Sequence, residues 1–429
     1  MFMKDNNLDE FLKVSENSHF HVRGYVHLCT YQTLTRKTIE YGRIDWDTVI
    51  TDEAQYAKTP GNRITNALQT LKTKFKISMT GTPVENSFQE LWNIIEYLNP
   101  GYLGTLKDFN RKYRVDRSNT AEEINNLARE LREKINPILL RRTKDGVLKD
   151  ELPEKIIHDT HIDNNPDLPI EIEFTESQRN EYLDVLRAAK RNYSRGKALS
   201  EINKLKIVSD HPRLFSINKN FYTGRFTEEI AKESARIHAV ELILDMIKEK
   251  NEKVLIFAEL KRTQYMLQSW IKERYNIHTK IINGESPVKY KSSYTGFKKQ
   301  AIFDDENASR QEITKIFNNL EGFNVLILSP IAAGVGLNIT GANHVIHFSR
   351  HWNPAKEDQA TDRAYRIGQK KDVHVYLPKA VAPDFKTFDI NVAMILDRKR
   401  KIASETLYPT NIMDNESDFD IFLKNSIVE

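Results

Sequence analysis

The stretch FNVLILS, residues 323–329, decides the fold. Its apolar residues run consecutively instead of alternating, and polar positions and Pro330 bound them. A strand with one face in water alternates. A strand apolar at every position is covered on both faces, as parallel strands between layers of helices are. Working outward, the same pattern recurs in KVLIFAE (253–259), HTKIIN (278–283), NHVIHFS (343–349) and VHVYLP (373–378). With the helical patterns between them, these place an α/β lobe at about 235–377. A second set, YVHLCTY (25–31), DTVIT (47–51) and FKISMT (75–80), places another at about 24–98.

The segments between read as mostly helical. Ile124, Leu127, Leu131, Ile135 and Ile138 step by three or four, the stripe of an amphipathic helix, and Pro137 should end or kink it. Ile237, Val240, Leu244 and Ile247 form a similar stripe opening the second lobe, and NNPDLP (164–169) reads as a turn. Residues 286–309 read as a solvent loop, and the tail after Pro409 as a late brace or a frayed end.

Composition narrows the class. The 429 residues are 39% hydrophobic and 29% charged, as in folded domains, and at roughly 150 residues per domain there is room for two or three. Lys plus Arg number 64 and Asp plus Glu 60, a net charge of +4. That excludes a histone-like basic tail protein but not a local basic face for nucleic acid. The single cysteine, Cys29, cannot form an internal disulfide or a thiolate zinc site, so a reducing, intracellular compartment is expected. No apolar run is long enough to span a membrane, and the opening residues do not read as a secretory signal.

Four clusters carry chemistry. Asp52-Glu53-Ala54-Gln55 follows a parallel strand, and ligands of open α/β sheets bind at the carboxyl ends of strands. One carboxylate can hold magnesium while its neighbour positions water for phosphoryl transfer, although an Asp-Glu pair is also common at helix starts. Ser78-Met79-Thr80-Gly81-Thr82-Pro83 follows the next strand and makes a rigid turn lined by hydroxyls, or an ordinary strand-to-helix turn. Gly334-Val335-Gly336 frees the backbone after 323–329, as many plain turns do. Arg363 and Arg366 are three apart, so on a helix they point the same way. Like charges side by side suit a phosphate between them, or simply a solvated face.

Together and in order these segments resemble the Swi/Snf-type family of DNA translocases, within the superfamily-two helicases. DEAQ (52–55) looks like motif II and SMTGTPVEN (78–86) like motif III. LRRTKDGVLKDELPEK (140–155) is similar to the inter-lobe linker, SDHPRLF (209–215) more loosely to a "CNHP" segment, and KVLIFAEL to motif IV. SPIAAGVGLNITGANHVIHFSRHWNP (329–354) looks like motif V and DQATDRAYRIGQKKDVHVY (358–376) like motif VI. The resemblance implies an α/β fold of two RecA-like lobes, the first N-terminally incomplete, with helical protrusions. Its divisions fall at 1–139 (lobe one), 140–155 (linker), 156–234 (protrusion), 235–380 (lobe two) and 381–429 (helix and tail). It implies an ATPase with ATP and magnesium as cofactors and double-stranded DNA as partner. Asp52 would hold magnesium and Glu53 would be the general base. Gln55, Gly336, Gln359, Arg363 and Arg366 would meet nucleotide, the arginines as fingers and Glu53 and Arg366 on opposite sides of a cleft. Thr80, Gly81, Thr82 and Arg142 would couple nucleotide state to lobe movement, with Arg141 beside the last. Gly334, Leu337, Asn338 and Trp352 would face DNA, with packing an equal alternative for Trp352.

The departures carry expectations of their own. Motif II has Gln55 where histidine is commoner, and glutamine still hydrogen-bonds. Glu259 in motif IV would weaken a phosphate contact. No G-x-x-x-x-G-K-[ST] phosphate loop occurs in the 429 residues. The chain alone is therefore expected not to hydrolyse ATP, and lobe one to leave apolar faces uncovered. Three readings follow: a DNA translocase, a DNA-clamping remnant, or half of a split ATPase whose loop another polypeptide supplies. The compartment would be cytoplasmic and nucleoid-associated in a bacterium or phage, nuclear in a eukaryote. His158 and His161 read as surface residues, His347 and His351 as no metal pair, and 398–401 (RKRK) as a solvated helix end.

Overall fold

The computed structural model describes residues 12–14, 26–57, 59–81, 88–114, 121–142, 151–191, 198–216, 228–287, 308–333 and 336–405. The chain forms two compact units, Met1–Ile138 and Leu139–Lys401. Its strands in the first unit are β1 (Leu12–Val14), β2 (Val26–Leu28), β3 (Asp45–Thr51) and β4 (Lys72–Ser78). In the second they are β5 (Lys155–His158), β6 (Glu171–Glu173), β7 (Lys253–Phe257), β8 (Lys280–Ile282), β9 (Asn324–Leu328), β10 (His344–His347), β11 (Val373–Tyr376) and β12 (Lys379–Val381). Every pairing between these strands is parallel, which makes the α/β class predicted from consecutive apolar runs the class observed.

The second unit is built on a six-stranded sheet of order β5-β11-β10-β7-β9-β8. Alternation inside each apolar run feeds two cores. Val254, Ile256, Val325, Ile327 and Ile346 face one way and pack against Ile237, Val240 and Leu244 of the helix Ala235–Glu249 and Trp270 of the helix Lys261–Tyr275. Leu255, Phe257, Leu326, Leu328 and Val345 face the other way, onto Ile313 and Phe317 of the helix Arg310–Asn319. Each such residue, fully buried, contributes about 1.5–3 kcal/mol. Ser309 starts that last helix with a reciprocal cap to Glu312. The Nζ of Lys253 closes its far end, donating to the carbonyls of Phe317, Asn318 and Leu320 at 3.1, 2.9 and 2.7 Å.

Two expectations need correction here. Lys155–His158 is neither linker nor protrusion: it is the edge strand of the main sheet, hydrogen-bonded alongside β11. The segment around residue 400 is not a solvated helix end. Arg400 reaches Glu357 at 2.8 Å and Asp358 at 3.0 Å, and Lys399 is 7% exposed. The protrusion helices Glu176–Arg191 and Ala198–Asp210 are as expected, but they share one core with Phe388, Val392 and Leu396 of the helix Phe388–Glu405. Most of the loop 286–309 and the tail beyond 405 lie outside the described residues.

In the first unit Leu34, Tyr41, Ala67, Leu68 and Tyr97 form a small core. The helix Ala121–Ile135 ends in a 3-10 turn, Asn136–Ile138, that contains Pro137. Its buried stripe stops at Ile135, and Ile138 is exposed. The strands β3 and β4 pair as a two-stranded sheet, on which Ile50 is 59% and Phe75 60% exposed, and Met79, just past β4, is 47% exposed. Among the described residues no helix is long and apolar enough to cross a membrane.

Candidate functional site

In the first unit the site grows from the carboxyl ends of β3 and β4. Register pairs Thr51 with Ser78, and their hydroxyls share a hydrogen bond of 2.7 Å. The backbones then interlace beyond the strands, Met79 N–H donating to the carbonyl of Thr51 at 2.8 Å and Ala54 N–H to that of Met79 at 2.9 Å. Motifs II and III are thereby held side by side. Asp52 is exposed, and one of its oxygens accepts the N–H of Glu53 at 2.9 Å. Glu53 has a φ of 50°, the left-handed region that a non-glycine residue enters at a cost.

One hydrogen bond holds the Glu53 carboxylate, and a second holds the group that donates it. Gln55 Nε2 donates to Glu53 Oε2 at 2.5 Å, and Thr80 Oγ1 donates to Gln55 Oε1 at 2.7 Å. Gln55 thus joins the candidate base to motif III through one amide. Tyr31, which the sequence did not single out, donates its phenol to the Asp52 carbonyl at 2.7 Å. Burial, then the charges of Asp52 and Glu53, push that phenol up to about 12, so it stays a donor at neutral pH. Exposed Asp52 offers the hard oxygen that magnesium prefers. Gly81 is exposed beside these residues, and Thr82 lies outside the described residues.

In the second unit motif V follows β9. Gly334 lies outside the described residues. Gly336 adopts φ 54°, a conformation that favours glycine. Leu337 is 5% exposed and belongs to the sheet core, so its side chain is turned away from solvent and not available to DNA. Asn338 is exposed. Asn353 caps the helix Pro354–Thr361, which carries half-buried Gln359. That helix stops at Thr361, so Arg363 and Arg366 do not share a helical face as their spacing suggested. They sit in successive tight turns, with Arg363 N–H on the Ala360 carbonyl and Arg366 N–H on that of Ala364, both at 3.1 Å. Ile339 N–H donates to the Arg363 carbonyl at 2.9 Å, tying motif V to this turn. Arg363 is half-buried and Arg366 exposed. Trp352 is half-buried, its ring edge-on to Phe388 at 5.6 Å, which accounts for it by packing. Arg141 and Arg142 are exposed.

Two buried networks escaped the sequence. Arg236 pairs with both Asp210 and Asp389, and Asp210 also accepts from Thr263 at 2.7 Å and from Ser349. Lys206 pairs with Glu259, so the motif IV glutamate has a structural counter-charge. Burial brings Lys206 down to about 8. The signal available was Asp210 inside the SDHP string, an acid amid apolar residues. The second network overturns the surface reading of His158, which is 3% exposed. Its Nδ1 accepts Asp163 N–H at 3.1 Å, so Nε2 carries the proton towards His374 Nδ1 at 3.0 Å. His374 stacks in turn on His344, whose other contacts are Glu252 at 2.6 Å and Tyr376 at 3.1 Å. Ring nitrogens of His158 and His374 and an Asp163 oxygen lie within 4.8 Å of one another. A metal on His158 Nε2 would need the proton on Nδ1, where it would face another N–H. The ladder is built for hydrogen bonding.

Known proteins share this arrangement of segments. The SNF2-related domain matches residues 1–214 and the helicase conserved C-terminal domain residues 237–368. Zorya protein ZorD of Escherichia coli is 34% identical over 93% of this chain and 35% of its own length. An uncharacterized ATP-dependent helicase of Mycoplasma pneumoniae is 33% identical over 84% of this chain and 30% of its own. The chain thus spans about a third of the length of these curated relatives. A solved Sulfolobus solfataricus SWI2/SNF2 ATPase core in complex with dsDNA is 26% identical, with a TM-score of 0.43, covering 99% of this chain and 82% of that one. With motifs II to VI in order along the sequence and both family domains matched in succession, the chain belongs to the Swi/Snf-type, SNF2-related family of ATP-dependent helicases.

Proposed function

We propose that these 429 residues are the part of an ATP-dependent double-stranded DNA translocase that carries motifs II to VI. The observation that carries the reading is the run Thr80–Gln55–Glu53 at the ends of β3 and β4. It orients a carboxylate beside a second, exposed one, as water activation next to a magnesium-bound phosphate requires. ATP and magnesium supply the phosphoryl group and its charge neutralisation. Asp52 would hold the ion, Glu53 the attacking water, and Arg363 and Arg366 the charge that develops on the γ-phosphate. Gln359 and Gly336 line the nucleotide side. The phosphate loop is not among these residues, so in this reading another polypeptide segment provides it, and the 429 residues alone turn over no ATP.

DNA as the partner is supported by the family to which the chain belongs. A motor that moves over any sequence holds phosphates, not base edges. Exposed Asn338 is the contact proposed for it, and Arg142 the link to lobe movement. Fluorescence anisotropy on the 429-residue chain across a salt series tests the partner. Affinity for duplex DNA should fall linearly on a log–log plot, by about 0.9 in slope per phosphate contact, and ignore base sequence. Affinity indifferent to salt would reject it.

A further inference from the structure

Gln369 follows the arginine turn, and its side chain is 7% exposed. Gly368, with φ +99°, turns the chain so that this side chain enters the protein instead of solvent. Its Nε2 donates to the carbonyls of Ala342 at 2.8 Å, Thr340 at 3.2 Å and Ala364 at 3.3 Å. Its Oε1 accepts the N–H groups of Lys370 at 2.9 Å and Lys371 at 3.1 Å. Two of those carbonyls belong to the loop that follows Asn338. The third lies between Arg363 and Arg366. The two N–H groups begin the approach to β11. One carboxamide therefore joins three segments.

The arginines need such a fixture. They lie beyond the end of the helix Pro354–Thr361, so no helical ladder holds them; short turn hydrogen bonds run through their backbone, and the Ile339 N–H reaches the Arg363 carbonyl from motif V. A carboxamide is the side chain that offers two donor hydrogens and two acceptor lone pairs at this length. Glutamate lacks the donors, methionine lacks both, and asparagine is a methylene short.

We propose that Gln369 is a positioning residue for Arg363 and Arg366, a role that rests on reading those arginines as the groups that meet the γ-phosphate. It acts through them, not on substrate. Replacing it leaves the strands standing and lets the turn wander. A group that works only in the transition state then loses effect in kcat while KM for ATP holds.

Hydrogen exchange on the 429-residue chain tests the staple without turnover. In Gln369→Met the amides of Ile339, Arg366 and Gln369 should exchange at least roughly 10-fold faster, with those of β7, β9 and β10 unchanged. Gln369→Glu, which keeps the acceptor and loses the donors, should free Ile339 in the same way and serves if the methionine variant does not fold. Unchanged exchange in 339–342 and 364–371, or equal acceleration across the whole sheet, would overturn the proposal. With a phosphate-loop segment supplied, Gln369→Met should lower kcat at constant KM and have no further effect in an Arg366→Ala background. A full additional loss in that background would also overturn it. A complemented wild type without turnover would instead count against the finger reading, leaving the staple to the exchange result.

Discussion

Gln55 points one amide in two directions, its N–H group to Glu53 and its carbonyl to Thr80. The histidine commoner at this position could do the same with one nitrogen as donor and the other as acceptor. Gln55→Leu keeps the volume and removes both bonds. In a complemented enzyme it should lower kcat by at least about 10-fold, a part of the roughly 10²–10⁴ that general-base assistance supplies. Gln55→His should retain most of the rate, and DNA affinity should not move in either. Phosphate release beside DNA anisotropy checks this. The residues of this array were legible because they stand in two short strings, each directly after an apolar strand. Gln369 and His158 were not. Their partners are up to 216 positions away, and nothing local distinguishes a buried histidine at a sheet edge from a solvated one.

At the scale of elements, β7 to β11 were readable because each carries consecutive or near-consecutive apolar residues, whereas β6 and β12, three residues each, were not. Lys155–His158 was missed because KIIH is short and follows a linker-like string. The arginine turn was misjudged because three-residue spacing says nothing about where a helix ends. Stability here depends on charge that the sequence did not reveal. Arg236→Leu would leave Asp210 and Asp389 buried without their counter-charge, a loss of about 3–5 kcal/mol. Urea unfolding measures it, and a loss below about 1 kcal/mol would contradict the network's role. Acid should act on the same unit. Burial lowers His211, His344, His347 and His351 from 6.5 to about 4. A base depressed in the fold stabilises it fully above its unfolded value and progressively less as pH falls from about 6.5 towards 4. Burial alone would raise Glu252 and Glu357, yet hydrogen bonds and cations hold both at about 2, so they oppose nothing in that window. The melting temperature of this unit should therefore drop between pH 7 and pH 5. A flat profile would contradict the assignment of these histidines as neutral.

At the scale of the molecule, the two α/β units were legible from two clusters of apolar strands. How the first would be covered was not, since cover depends on what packs against the sheet. Ile50 and Phe75 stand exposed on strands of a kind that is ordinarily buried on both faces. In the chemistry, candidates for base, metal ligand and fingers are proposed here, and no G-x-x-x-x-G-K-[ST] string occurs in the 429 residues. Phosphate release by the purified chain tests this most directly, with and without duplex DNA, and with and without a phosphate-loop segment of a family member. The account predicts background hydrolysis by the chain alone. It predicts DNA-stimulated turnover once the segment is added, abolished by Glu53→Gln. DNA-stimulated hydrolysis by the chain alone that disappears in Glu53→Gln would contradict it.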